Sequence, residues 1–287
     1  MRVRIWPLAV AALLSLAAAP VLAERDPNSG APLPPHAQPP PASPLTDHFA
    51  VRVTFFSPRL NTNLRVDPSF PPPGVTGTPV NAERDLGFAS RLYQGEVELL
   101  FRMRERSKVR ASYYEADRSG SVVLANPIVF GNQTFAAGEL LESSLDWQMF
   151  DITYTYSFYR SERLEVGTGL GIYLLQLKAH GETPATFQSQ DFSSAAPFPA
   201  LPLDLAWRIS SRFALTARTA YLKARLNGFE GWFADSHADV QYRWIPNLAL
   251  GVGYSSIRTS LTRKGGSSPG TFYMSIGGPE VFVRFSF

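Results

Sequence analysis

Polar and apolar residues alternate in segment after segment of this chain, and the last nine residues show the pattern most clearly. These residues, 279–287, read PEVFVRFSF, and one parity holds only apolar side chains, namely Val281, Val283, Phe285 and Phe287. Because successive side chains of a β-strand point to opposite faces, the segment is predicted to be a strand with one apolar face. We expect lipid to cover that face, since no later segment follows to do so, and a closed barrel is the sheet that lipid tolerates.

Ten segments show this alternation and are predicted to be strands: 48–57, 92–103, 108–115, 145–159, 164–177, 200–209, 213–223, 234–244, 248–256 and 279–287. The connections between them are short after every even strand and mostly long after every odd strand, as in bacterial outer-membrane barrels. The predicted fold is therefore all-β: a single antiparallel transmembrane β-barrel of about ten strands, with eight or twelve also compatible with the pattern. An even strand number places both termini on the periplasmic side.

Composition agrees with a barrel rather than with a bundle of spanning helices. Hydrophobic residues make up 45% of the chain, yet beyond residue 23 no apolar run is long enough for a transmembrane helix. The net charge of +3 is too small to indicate a nucleic-acid partner. The chain has no cysteine, which removes disulfides and thiolate metal sites, and we predict no cofactor.

The first 47 residues divide into two predicted regions. Residues 1–23 have the pattern of a secretory signal peptide, with Arg2 and Arg4 before an apolar stretch and a cleavage site after Ala23; an uncleaved membrane anchor is the alternative. Residues 24–47 are rich in proline and are predicted to be a disordered periplasmic tether, with a docking role for the proline run as the alternative. The barrel is predicted to occupy residues 48–287.

Aromatic residues fall near both ends of the predicted strands. One group lies near the predicted periplasmic ends: Tyr156, Phe158, Trp207, Phe213, Trp244, Phe285 and Phe287. A second group lies near the predicted external ends: Phe55, Tyr93, Tyr113, Tyr221 and Trp232. Two aromatic girdles are expected where a barrel meets the two membrane interfaces.

The chain resembles the Gram-negative outer-membrane β-barrel proteins, including small OmpA-like barrels. The terminal strand carries the likeness, because Val281, Val283, Phe285 and the final Phe287 resemble the signal that the barrel-assembly machinery reads. The resemblance implies location in the cell outer membrane and contact with outer-membrane lipid and lipopolysaccharide. It also implies assembly through that machinery and periplasmic chaperones, and we expect a monomer.

Charged residues occupy the parity that would face the lumen. They are Arg52, Glu96, Glu98, Arg102, Arg110, Asp151, Glu165, Asp204, Arg208, Arg218, Asp239, Arg243, Glu280 and Arg284. A barrel of eight to ten strands is narrow enough for side chains to fill it, so we predict a network of arginine–carboxylate pairs. A narrow polar channel is the alternative. Gly167, Gly169 and Gly171 share the same parity, and we expect them to leave room for lumenal arginines.

One cluster has the residue types of a hydrolase. Asp235, His237 and Asp239 share a parity on the eighth strand near its predicted external end, and a carboxylate can orient a histidine that activates water. The Asp-x-His element is similar to that of the omptin proteases, ten-stranded barrels that set an Asp–His pair opposite two aspartates. Here Glu96 and Glu98 are the nearest substitute for that second pair. The other histidines are scattered, so no metal site is predicted.

The long connections 58–90, 117–143 and 178–199 are predicted to be external loops, which is where binding residues concentrate on a rigid scaffold. The apolar runs 122–124 and 128–130 with 133–135 are predicted to extend the barrel as a hairpin above the membrane. We interpret the protein as a non-enzymatic outer-membrane barrel with a charge-filled lumen and a structural or surface-interaction role. A channel for small polar solutes is the second hypothesis, and an omptin-like hydrolase at the external rim is the third.

Overall fold

The computed structural model describes residues 43–69, 75–185, 188–226, 228–264 and 269–287. The predicted signal peptide and most of the predicted tether therefore lie outside the described residues. The strands are β1 (Phe49–Phe56), β2 (Arg59–Val66), β3 (Val80–Asn81), β4 (Gln94–Arg104), β5 (Ser107–Val123), β6 (Ile128–Phe130), β7 (Gln133–Phe135), β8 (Leu140–Arg160), β9 (Leu164–Thr183), β10 (Gln188–Arg208), β11 (Phe213–Leu226), β12 (Phe229–Ile245), β13 (Leu248–Arg263) and β14 (Gly270–Ser286). A single turn of helix, α1 (Ala82–Asp85), follows β3.

Ten strands close into an antiparallel barrel, which confirms the predicted fold class. The closing pair is β1 with β14, in the register Val53 opposite Val283. Strand β2 continues the line of β1 after a break at Pro58 and pairs with the other half of β14, so the two together form one stave of the wall. We call the end where β1 begins and β14 ends the lower rim, and the opposite end the upper rim.

The outside of the barrel carries an apolar band on its outward parity. Its exposed side chains include Val97, Leu99, Ile152, Tyr154, Leu170, Ile172, Leu201, Leu203, Val252 and Val281. Exposed aromatics border the band on both sides, with Phe158, Trp207, Trp244 and Phe287 near the lower rim and Phe55, Tyr93, Tyr113 and Tyr221 above. Both girdles are thus present where the alternation placed them, as expected for a wall that faces lipid. None of the helices in the described ranges has the length and hydropathy to span a membrane.

Several strands are much longer than the sequence pattern indicated. Strands β8 and β10 have 21 residues each and β9 has 20, although about 9–11 residues suffice to cross a bilayer. The segments 117–143 and 178–199, predicted to be loops, are for the most part continuations of these strands and of β5. The expected hairpin is present, since β6 pairs with β7 through Val129 opposite Thr134.

These continuations form a second layer of structure above the apolar band, which we call the head. It comprises residues 115–123 of β5, 140–148 of β8, 176–183 of β9 and 188–199 of β10, together with β2, β3, α1, β6 and β7. Within the head, β5 pairs with β8, β8 with β9 and β9 with β10. The head therefore continues the barrel wall as a regular four-stranded sheet.

The glycines of β9 have a different role from the predicted one. A Cβ atom on Gly171 would lie 2.7 Å from Cγ2 of Thr153, and one on Gly169 would collide with the carbonyl oxygen of Tyr154. The atoms they accommodate belong to the neighbouring strand β8, not to lumenal arginines. These glycines let β8 and β9 approach closely while both curve around the lumen.

Candidate functional site

The lower end of the lumen is closed by a turn that precedes β1. In this turn, residues 43–47, the backbone N–H groups of Thr46 and Asp47 both donate to the carbonyl of Ser43. The Asp47 carboxylate lies 2.8 Å from a guanidinium nitrogen of Arg243 and 3.2 Å from one of Arg284. We call residues 43–47 the plug.

The plug corrects the predicted boundary of the tether, which placed disorder up to residue 47. Pro44 and Leu45 are buried, and their carbonyls accept hydrogen bonds from Arg102 and Arg160 at 3.2 and 2.9 Å. Composition alone misplaced this boundary, because a proline-rich segment with few apolar residues has no core of its own. Its last residues are ordered by the barrel, which supplies arginines that require a counter-ion.

Above the plug, charged side chains cross the lumen in a continuous chain of ion pairs. In order of contact they are Arg102, Glu165, Lys108, Asp204, Arg110, Glu98, Arg218 and Glu96. None of these side chains is more than 15% exposed. Lys108 is the one member that was not predicted from the sequence. It shares the inward parity of Arg110 on β5, so the alternation could have identified it as a lumenal residue.

A second chain of contacts runs along the other side of the lumen. Arg52 binds Asp239 at 2.8 Å and forms a short contact with Glu280. Glu280 in turn lies 3.5 Å from Nδ1 of His237, and Nε2 of His237 lies 2.9 Å from Asp235. Buried charges are costly unless they are paired, so the pairing within each chain offsets part of the cost of burying its members.

Two predicted members of the network stand apart from these chains. Asp151 is buried and accepts a short hydrogen bond from Ser112. Arg208 is half-buried near the lower rim and has no ion pair within the described part of the chain. A cavity of about 10 Å³ beside Asp151 and Arg110 has room for about one water molecule.

The structure brings the candidate catalytic residues close to an arginine. Arg218 contacts both Glu96, at 3.3 Å, and Glu98. His237 and Asp235 are 5% and 7% exposed. The predicted position near the external end differs from the observed one: β12 begins at Phe229, not at 234, which leaves His237 in the middle of the strand.

An apolar layer separates this charged region from the upper rim. Two of its members lie one inward position above network residues on the same strands: Phe233 lies above Asp235 on β12, and Met149 lies above Asp151 on β8. Other members are Phe56, Tyr114, Trp147, Tyr173, Ile257, Met274 and Ile276. Charged groups below the layer are thereby screened from water that enters at the upper rim.

One more buried cation lies above that layer. Arg118 on β5 donates to Oγ1 of Thr62 at 2.8 Å and to Oε1 of Glu83 at 2.6 Å. Glu83 belongs to α1, inside the segment 58–90 that the sequence predicted to be a loop. Arg118 therefore ties that segment to the barrel wall.

The interior of the head is apolar. Its buried cluster consists of Val66, Val80, Ala82, Leu86, Phe88, Leu124, Ile128, Phe130, Phe135, Leu141 and Leu145. A cavity of about 40 Å³ lies among them, and the Ser143 hydroxyl beside it has no hydrogen-bond partner among the described residues. The head is thus packed around a core of its own and is not a set of independent loops.

The outer surface of the head is acidic. Its outward positions on β5, β8, β9 and β10 carry six carboxylates: Glu115, Asp117, Glu142, Asp146, Glu182 and Asp191. The basic groups on the same face are Lys178 and His180. Nδ1 of His180 lies 2.7 Å from Asp191, and this hydrogen bond, with a further contact to Glu182, raises the pKa of His180 above its ordinary value.

Comparison with solved structures returns other bacterial barrels. The chain is similar to the outer membrane protease OmpT of Escherichia coli, with 10% identity, a TM-score of 0.49, and coverage of 83% of this chain and 97% of that chain. It is also similar to the transport unit of the Escherichia coli autotransporter AIDA-I, with 7% identity, a TM-score of 0.42 and coverage of 97% of both chains. A third similar structure is the translocator domain of NalP from Neisseria meningitidis, with 12% identity, a TM-score of 0.37, and coverage of 83% of this chain and 88% of that chain. No family model and no curated protein matches the chain.

The closed ten-stranded wall, the apolar band and the two aromatic girdles give the chain the fold of an outer-membrane β-barrel.

Proposed function

We propose that the protein is an outer-membrane barrel whose lumen is closed and whose head is a surface for interaction outside the cell. The observation that carries the proposal is the contrast between a filled lumen and a head with its own apolar core. The plug, the ion-pair chains and the apolar layer follow one another along the barrel axis, and this order supports a lumen that does not conduct. A rigid sheet above the membrane serves recognition better than transport.

In this proposal the lower rim faces the periplasm and the head faces the exterior. Short connections at the lower rim and long strands at the upper rim favour that orientation. The apolar band would then contact outer-membrane lipid, and the acidic face of the head would lie on the lipopolysaccharide side of the membrane. The protein would act as a monomer. Assembly by the barrel-insertion machinery follows from the same location.

Conductance across planar lipid bilayers tests the closed lumen. The full-length protein is expected to insert without single-channel steps, because the two ion-pair chains and the apolar layer obstruct the path. The Asp47→Ala variant, which releases the plug from Arg243 and Arg284, is expected to remain silent as well, since the layers above are unchanged. Stable current steps from the wild type would contradict the proposal and favour a narrow channel, whereas steps from Asp47→Ala alone would mean that the plug closes the lumen and the layers above it do not.

A further inference from the structure

The sheet of the head ends in an unpaired strand. Strand β10 pairs with β9 from Gln188 to Ala200 and again from Leu203 to Trp207, but it pairs with β11 only from Leu201 to Arg208. Between Gln188 and Ala200, therefore, β10 has a neighbour on one side and, among the described residues, no strand on the other. An unpaired edge offers a row of backbone N–H and C=O groups to any extended chain that can reach it.

Two prolines identify which residues of β10 face this edge. Pro197 and Pro199 lie opposite Leu174 and Ile172 of β9, yet a proline cannot donate to a ladder. Their nitrogen atoms therefore point away from β9. Backbone direction alternates along a strand, so Ser189, Asp191, Ser193 and Ala195, which share the parity of the prolines, also direct their N–H and C=O groups away from β9.

A side chain also contacts this position, since the carbonyl of Asp191 accepts a hydrogen bond from Nε2 of Gln190 at 3.0 Å. Below this stretch, Pro197 and Pro199 blunt the edge, because their lack of an N–H prevents strand addition there. The open part of the edge is therefore 188–196, long enough for a partner strand of ordinary length.

The charge beside the edge indicates the chemistry of a partner. Asp191 lies on the edge strand itself. Glu182 of β9 lies opposite Ser189 of β10, and Glu142 of β8 lies opposite Glu182. All three point outward and are exposed. His180 already contacts Glu182 and Asp191, and Lys178 lies opposite Ser193. The outward face still carries six carboxylates against these two basic groups, and like charges opposite each other are destabilising, so a further cation beside the Glu142–Glu182 pair is favourable.

We propose that the β10 edge binds an extended basic peptide segment of a polypeptide partner by addition of a strand to the head. The inference rests on the proposed function and names its partner class. Backbone hydrogen bonds with Ser189, Asp191, Ser193 and Ala195 supply the pairing. Lysine or arginine side chains at alternate positions of the bound segment meet Asp191 and Glu182 on the outward face.

Binding of defined peptides to the detergent-solubilised full-length protein tests this inference. The probe is a nine-residue peptide that alternates lysine and valine, labelled with a fluorophore for anisotropy measurements. Two controls share its length: one alternates glutamate and valine, and the other is the lysine peptide N-methylated at alternate backbone positions. We expect the lysine peptide to bind, and each control to bind at least about tenfold more weakly, because one lacks the charge and the other the donors.

A matched pair of protein variants locates the site. Ser193→Pro removes an edge N–H at a position with the same backbone direction as the native prolines, so the barrel is expected to fold normally. It should weaken binding of the lysine peptide by at least about tenfold, whereas Ser193→Ala, which keeps the N–H, should change it by less than about twofold. Retention of the folded, heat-modifiable form on gels verifies that both variants are intact.

Several results would overturn the inference. Equal binding of the N-methylated peptide would show that charge alone attracts the probe, and unchanged binding by Ser193→Pro would place it elsewhere. Lack of binding by every peptide would also reject strand addition. None of these outcomes changes the conductance result, so failure of the β10 edge and failure of the closed-lumen proposal are distinguishable.

Discussion

The barrel at the level of the apolar band and the head above it are built from the same strands but have opposite interiors. Strand β8 contains both arrangements. In its lower half Ile152 and Tyr154 are exposed outside, and Asp151 is buried inside; in its upper half Leu145 is buried inside, and Glu142 is exposed outside. The parity that points outward is the same throughout, whereas the kind of residue placed there is reversed.

This reversal shows that the alternation itself and its sign, meaning whether the outward residues are apolar or polar, carry different information. Alternation specifies a strand with two faces, whatever surrounds it. The sign depends on the medium outside the wall, because an outward apolar residue is stable in lipid and an outward carboxylate is stable in water. On β8 the change occurs between Phe150, which is exposed in the band, and Asp146. That interval is where we place the upper membrane boundary.

The largest expected effect is the loss of stability when one buried charge is removed from the lumen of the barrel. Arg218→Leu would leave Glu96 and Glu98 without their shared cation, and the loss of one partner of a buried pair costs about 3–5 kcal/mol. Urea unfolding of the refolded barrel in lipid vesicles measures this change. Arg225→Leu is the matched control on the same strand: it breaks an exposed pair with Glu230 in the upper part of β11, and we expect no measurable effect. Equal stability of both variants would mean that the lumenal pairs do not hold the barrel together.

A second prediction tests the medium outside the two regions. Val283→Arg places a charge on the lipid-facing side of β14 and should cost about 2–4 kcal/mol near the midplane. Ser144→Arg places the same charge at an outward position of the head and should change stability by no more than about 0.5 kcal/mol. The same unfolding assay applies to both. If the two substitutions have equal costs, the head and the band share one medium, and our boundary is misplaced.

Most of the barrel could be predicted from the sequence, because a wall that faces lipid must place apolar residues on its outward parity. The number of strands, the outward face of β14 and the position of both aromatic girdles all follow from alternation with apolar residues outside. The lumenal ion pairs were accessible for the same reason, since Arg52, Glu98 and Arg218 occupy the opposite parity. Which carboxylate contacts which arginine was not accessible, because contacts across the lumen join strands that are distant in sequence.

The head and the plug could not be predicted from the sequence, and the physical reason differs between the two. Residues 140–148 alternate as residues 149–160 do, but with mostly polar residues outside. A search for outward apolar residues therefore loses the pattern above Phe150, and the predicted strand began at 145 instead of 140. The plug has no alternation at all. Its order comes from contacts that Asp47 makes with Arg243, 196 residues away in the chain, and with the still more distant Arg284. Long-range charge pairing leaves no local pattern in the sequence.

The smallest expected effect concerns pH and the outer surface of the head. Asp191 and Glu182 raise the pKa of His180, so the folded head binds a proton more tightly than the unfolded chain does. The contribution to stability is complete below the ordinary histidine pKa of about 6.5 and is lost as the pH rises through the higher folded value. His180 is partly exposed and its ion pairs are screened, so the shift is best measured directly, by NMR titration of the imidazole. Asp191→Asn should lower the pKa of His180 towards its ordinary value, whereas Asp117→Asn, on β5 of the same acidic face, should change it less. If the two variants titrate alike, the diffuse field of the acidic face and not the bond to Asp191 sets the protonation of His180.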